Sequence, residues 1–184
     1  MNAPAHLTTQ QQVRLRVADF LALAEAGALE DHERTELIDG SIYRVAPQHL
    51  PHSQLKMDLI FRLNDALRER RPNLAVFSET TVGMPPFDAP MPDIVVIERT
   101  AGTGIVPLAS VRLIVEVSSS TLRDDLGTKL HSYAAHGVPE YWVADVAKNI
   151  VHQMWEPSGD GYARRETLDV REPLPFRTLD LLVN

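Results

Sequence analysis

The sequence predicts an α/β domain of the α+β kind, a mixed central β-sheet flanked by α-helices. Three observations point there. The periodic segments run helix, hairpin, helix, three strands, helix, then two or more strands. Hydrophobic residues make up 44% and charged residues 23% of 184, which is enough for one packed core and fits a single domain. No Gly-rich turn follows a strand and too few crossover helices alternate with strands, which argues against a doubly wound dinucleotide fold.

Each element has its own local reason. The first twelve residues, MNAPAHLTTQQQ, are polar and predict a flexible tail, leaving 13–184 as the domain. VADFLALAEAG is rich in helix formers and stops at Gly27, a C-cap. TELIDGSIYRVA holds two short apolar-polar segments about Asp39-Gly40, a hairpin signal. In HLPHSQLKMDLIFRLNDALRERR, Leu55, Leu59, Leu63 and Leu67 recur every four residues between Pro51 and Pro72, which predicts a long helix. LAVFSET predicts a strand. VGMPPFDAPMP carries four prolines and predicts a loop, as does RTAGTGIVPLAS. DIVVIE and VRLIVEV predict core strands, and SSSTLRDDLGTKLHSYAAHG a helix capped by its serines and threonine and closed at Gly137. EYWVADV and NIVHQMWE predict strands, GYARRETL a further one, and RTLDLLVN fits either state.

Composition excludes several functions. There is no cysteine, so disulfides, thiolate nucleophiles and cysteine-bound metals are ruled out. The apolar runs are too short to span a bilayer, which predicts a cytoplasmic protein with no membrane partner. A formal net charge of -7 argues against passive, tight nucleic-acid binding but not against cutting, since a bound divalent ion changes the local field. Arg62, Arg68, Arg70, Arg71, Arg164 and Arg165 are read as solvated helix and strand surface. Tyr133, Tyr141, Trp142 and Trp155 are read as core or sheet-face aromatics, with the strands from Tyr141 to Trp155 offering one surface for a homodimer.

The chemistry concentrates at two acids. Asp93 opens one apolar strand and Glu116 closes the next. If these strands pair antiparallel, both carboxyl groups meet at one edge, on strands about 5 Å apart. Glu116 points to the face opposite Val115 and Val117. Two carboxylates in an apolar setting are costly, and a divalent cation relieves their repulsion. Oxygen-only ligands suit Mg²⁺ or Mn²⁺. Lys129, in the helix directly after, is placed to add positive charge.

RTELIDGSIYRVAP, MPDIVVIE and LIVEVSSSTLRDDLGTKLHSYAAHGVPEYWVAD together resemble the Uma2 family of restriction endonucleases, which in turn resembles the broader PD-(D/E)xK nuclease superfamily. The resemblance implies a restriction-endonuclease-like core and metal-dependent hydrolysis of DNA. It implies that Asp93 and Glu116 are the metal ligands and, with Lys129, the catalytic set. Ser118 stands where the superfamily pattern has lysine, and Lys129 matches a position to which that lysine has moved. Glu36, Asp125 and His52 match supporting positions of the family. The alternative is a catalytically inactive scaffold acting as a homo-oligomeric interaction or regulatory protein. Each residue also has a plainer role: a strand cap for Asp93, a pair with Arg112 for Glu116, an exposed i,i+4 pair with Asp125 for Lys129, a surface acid for Glu36 and a helix start for His52.

Overall fold

Along the chain, α1 (Val17–Glu25) precedes a hairpin of β1 (Thr35–Ile38) and β2 (Ser41–Arg44), then α2 (Leu50–Arg68), β3 (Leu74–Ser78), β4 (Val82–Gly83), β5 (Ile94–Glu98), β6 (Val106–Pro107) and β7 (Val111–Ser118). A helical segment follows over 122–135. It consists of α3 (Leu122–Asp124), a π turn (Asp125–Lys129) and α4 (Leu130–Ala135). Strands β8 (Glu140–Asp145), β9 (Ile150–Ser158), β10 (Gly161–Asp169), β11 (Leu174–Phe176) and β12 (Leu181–Val183) complete it. The computed structural model describes residues 13–30, 34–100 and 102–184; the expected tail lies outside them.

The central sheet has six strands in the order β10-β9-β8-β7-β5-β3. Only β7 and β8 pair in parallel; every other neighbour is antiparallel. This is the mixed sheet the sequence predicts. The parallel step is where the chain crosses over through the helical segment, as parallel strands require. β5, β7 and β8 are nearly continuous apolar runs because both sheet faces are covered. One face packs Ile94, Val96, Val115, Val117 and Trp142 against α2 and the C-terminal hairpin. The other packs Val95, Ile97, Ile114 and Tyr141 against α4. The leucine stripe of α2 faces the first layer: Leu59, Leu63 and Leu67 are buried. Truncating one of these to alanine costs about 2–5 kcal/mol.

Asp39 and Gly40 both have positive φ, 49° and 75°, the requirement of a type I′ hairpin turn. Four expectations are modified. The proline-rich loop contains β4, which pairs in parallel with β6 from the second expected loop. The serines and threonine before α3 do not cap it: Thr121 occupies the N-cap position without a side-chain cap bond, and its hydroxyl goes to Asp125 instead. The ambiguous C-terminus forms the β11–β12 hairpin. Arg62 and Arg71 are not free surface cations. Arg62 donates to the carbonyls of Val170, Glu172 and Val183, and Arg71 to that of Leu179, so both tie α2 to the C-terminal segment. Tyr133, Tyr141 and Trp142 are core, with 1% exposure at most. The β8 part of the expected dimer surface is thereby internal. No helix of the described residues is long and apolar enough to cross a membrane.

Candidate active site

Strand register brings the two acids together. β5 and β7 are antiparallel with Ile94 opposite Val115, which sets Asp93 beside Glu116 at the mouth of the pair. The Asp93 backbone N–H lies 3.4 Å from Glu116 Oε2, and the Val117 N–H donates to Asp93 Oδ2 at 2.9 Å. Asp93 therefore does cap the strand end, and the same contact fixes its carboxylate next to Glu116. Both acids are buried, at 8% and 4% exposure. Glu116 shares the sheet face of Ile114, turned toward α4, as alternation with Val115 and Val117 requires. Arg112 pairs with Glu98 instead of Glu116.

Lys129 reaches this acid from the π turn. Its Nζ is 3.1 Å from Glu116 Oε1 and 3.4 Å from Glu36 Oε2. It is half-buried, and its ion pairs are with these two acids, not with Asp125. Glu36, on β1, also accepts from the Met91 N–H at 3.3 Å. His52, in the first turns of α2, places Nε2 3.2 Å from Asp93 Oδ2. Asp125 accepts a 2.6 Å bond from Thr121 and acts on Lys129 only through its charge. All six residues line one pocket of ≈ 380 Å³.

The helical segment supplies a residue that sequence reasoning assigned only to the core or a sheet face. Tyr133 donates to Glu116 Oε1 at 2.7 Å. Its ring packs edge-on against Tyr141 at 4.9 Å, and the Tyr141 hydroxyl donates to the Asp125 carbonyl at 2.9 Å. Asp125, Lys129 and Tyr133 are spaced by four. In a regular α-helix positions eight apart drift about 80° around the axis. The π turn is wider and takes up drift between Asp125 and Lys129. The repeated spacing of four was the available signal for Tyr133.

Burial, reinforced by the charges of Asp93, Asp125 and Glu36 and opposed by Lys129, pushes the Glu116 carboxyl up to about 8. Burial likewise raises Asp125, against its bonds from Thr121 and Ser118 and the Lys129 charge. For Lys129, burial favours the neutral amine, but Glu116, Glu36 and Asp125 outweigh it and hold the ammonium above its ordinary value. Among the described residues no group of three or more His, Cys, Asp or Glu side chains forms a ready metal cage.

A mixed six-stranded sheet with buried acids at the mouth of two adjacent strands is the restriction-endonuclease-like class of α/β core. Residues 17–182 match the model of the Uma2 family, described as "Putative restriction endonuclease", and the chain belongs to that family. A crystal structure of a protein from Anabaena variabilis, described as a "putative nuclease belonging to DUF820", superposes with a TM-score of 0.67 at 18% identity, covering 90% of this chain and 91% of that one. At that identity the likeness establishes the fold. None of the curated proteins matches this chain.

Proposed function

We propose that this chain is a metal-dependent endonuclease that hydrolyses phosphodiester bonds in DNA, with Asp93 and Glu116 as ligands for Mg²⁺ or Mn²⁺. The observation that supports this most is the gathering of four carboxyl groups, Glu36, Asp93, Glu116 and Asp125, in one pocket, three of them acting on the Lys129 ammonium. The donor set fits the ion. It consists of oxygen donors, and Mg²⁺ characteristically takes only one or two protein carboxylates and completes its shell with waters and substrate oxygens. The lack of a three-acid cage is compatible with that habit. The excess of negative charge is also what a hard cation offsets.

When bound, the ion would supply Lewis-acid polarisation of the phosphodiester and of the attacking water. The chain's own residues do the rest. Tyr133 and Lys129 both engage Glu116 Oε1, which leaves Oε2 the less committed oxygen. Lysine has three donors, two of them directed to Glu116 and Glu36. The third is available to a phosphate oxygen, where negative charge builds up. His52 and the Val117 N–H hold Asp93 in place. In this reading the protein works in the cytoplasm, and cutting both strands of a duplex favours a homodimer, the commonest soluble assembly.

The deciding experiment incubates the purified protein with DNA in Mn²⁺ or Mg²⁺ and in EDTA. Cleavage should require the ion. Asp93→Asn and Glu116→Gln should each abolish it while melting cooperatively. Wild-type rates in both variants would remove Asp93 and Glu116 from the chemistry, and intact DNA at every ion concentration would favour the inactive scaffold.

A further inference from the structure

Asp93 has a second set of contacts that the roles above do not use. Its Oδ1 accepts a 2.8 Å bond from Gln48 Nε2. The other end of that amide, Oε1, accepts a 2.6 Å bond from Lys56 Nζ. The same ammonium lies 2.5 Å from Glu79 Oε1, which also pairs with Arg34 at 3.0 Å. Glu79 closes the circuit through its backbone, donating its N–H to the Asp93 carbonyl at 3.3 Å.

Two features set this chain apart from ordinary structural ion pairing. The inward face of α2 consists of His52, Lys56, Leu59, Leu63 and Leu67. It is apolar where it covers the sheet and turns polar in the turns that reach the pocket. Lys56 is 7% exposed while Glu79 is half-buried, and an ion pair on a buried lysine is weak as a stabiliser, since an apolar residue of similar volume often does as well. Glu79 has a φ of 52°, the left-handed region that a residue with a β-carbon enters only when its surroundings hold it there. The Lys56 bond and the charges of Lys56 and Arg34 outweigh burial and keep the Glu79 carboxyl below its ordinary value, so it remains an anion.

The amide between Lys56 and Asp93 has one satisfied orientation. An ammonium only donates and a carboxylate only accepts. Gln48 must turn Oε1 to Lys56 and Nε2 to Asp93; the flipped amide would set donor against donor and acceptor against acceptor. We propose that Gln48 is a positioning residue for Asp93, and that Lys56, anchored by Glu79, locks the Gln48 amide in the orientation that fixes the Asp93 carboxylate for a divalent cation. This deepens the metal-site reading above and rests on it.

Mn²⁺ titration of the folded protein, by calorimetry or by loss of the free-ion EPR signal, tests the inference without any cleavage assay. Outer partners of metal ligands typically contribute about 10–100-fold to affinity. Gln48→Met and Lys56→Met should each weaken Mn²⁺ binding by about 10-fold or more. Because Lys56 acts through Gln48, the double variant should bind no more weakly than the worse single variant. A purely structural Lys56–Glu79 pair would lower melting temperature and leave Mn²⁺ affinity alone. Wild-type affinity in Gln48→Met, or losses that multiply in the double variant, would overturn the proposal. Gln48 is half-buried ahead of α2, so its variant decides the matter even if Lys56→Met does not fold. A wild-type protein that takes up no Mn²⁺ at all would instead remove the metal-site reading underneath.

Discussion

The Lys129 ammonium lies 3.1 Å from Glu116 Oε1 although the two residues are thirteen apart and belong to a strand and to the turn of a later helix. In the nuclease pattern that the sequence resembles, a lysine stands two residues after the acid, where this chain has Ser118. Ser118 is 1% exposed, and its hydroxyl faces Thr121 at 3.4 Å. A lysine there would have to displace packed neighbours. Lys129 brings a positive charge to Glu116 from across the pocket, on the segment that holds the π turn and Tyr133.

Lys129→Met should therefore separate chemistry from ion binding. Removing one preorganised positive donor costs about 10²–10³ in turnover when it faces developing charge. Cleavage should fall by that factor while Mn²⁺ still binds. Stability should fall by about 1–3 kcal/mol, below the usual cost of breaking a buried pair, because Glu116 can relieve its isolation by keeping a proton. Single-turnover cleavage and a denaturation curve on the same preparation measure both. Unchanged cleavage would reduce Lys129 to a structural counter-ion.

Glu116 should give the stability curve a distinctive pH dependence. Its carboxyl is held at about 8 in the folded protein, against 4.5 ordinarily. Between these values the folded state binds a proton that the unfolded state has released, so unfolding free energy falls as pH rises. The fall should run from about pH 4.5 to about 8 and then level off. Asp125 and Glu140 are raised in the same direction and contribute the same sign. Urea unfolding at several pH values without divalent ions should show this slope in the wild type and a flatter one in Glu116→Gln. Ion binding has the opposite dependence, because the ligand must lose its proton: Mn²⁺ affinity should rise with pH up to about 8. Equal slopes in the two proteins would mean that Glu116 is ionised throughout.

How much of this was legible in the sequence follows from where each signal lives. Asp93 and Glu116 stood out because an acid at the end of an apolar strand has a high desolvation cost, and pairing of consecutive strands is a short-range guess. Lys129 followed from its place in the helix directly after the Glu116 strand, whereas Glu36, Asp125 and His52 came through family resemblance alone. Gln48 and Lys56 left a fainter mark. Lys56 follows His52 by four and precedes Leu59 by three, so it falls on the buried face of α2, where a lysine is out of place. The π turn was invisible because its residues suit an α-helix equally well. Arg62 and Arg71 were misread because their partners are carbonyls more than a hundred residues away. The β11–β12 hairpin was ambiguous for a similar reason: strands of three residues depend on the layer they cover, here α2 and the sheet.

Tyr133→Phe should show whether the hydroxyl sets the Glu116 carboxylate or only fills space. Burial, then the Glu116 charge, holds the Tyr133 hydroxyl well above its ordinary value, so it stays a donor. Phenylalanine keeps the ring contact with Tyr141 and removes only the 2.7 Å bond. Losing a bond to a charged group costs about 1.5–3 kcal/mol, and the loss should be greatest above pH 8, where Glu116 is an anion. Mn²⁺ affinity should weaken by about 10-fold, the lower range for an outer partner. Full affinity in a stably folded variant would confine Tyr133 to packing.

The π turn can be tested with a pair of changes at one position. Gly127 sits in its middle, and a β-carbon added there would meet nothing within 4 Å. Its φ lies outside the left-handed region, so alanine is compatible with the backbone. Gly127→Ala should stabilise the protein by about 0.4–1 kcal/mol through the unfolded chain, with cleavage unchanged. Deleting Gly127 asks the opposite question. One residue fewer converts the wide turn toward a regular helix and rotates Asp125 by about 100° relative to Lys129. Leu130, Tyr133 and Ala134 are core residues and hold α4, so the displacement falls on the segment before the deletion. That segment includes the Thr121 bond to Asp125 and the Asp125 carbonyl that Tyr141 engages. The deletion should keep or raise helical circular dichroism, melt at lower temperature and lose most cleavage. Cleavage near the wild-type rate in the deletion variant would show that the line of Asp125, Lys129 and Tyr133 does not matter to the site, and that the π turn is a packing accommodation alone.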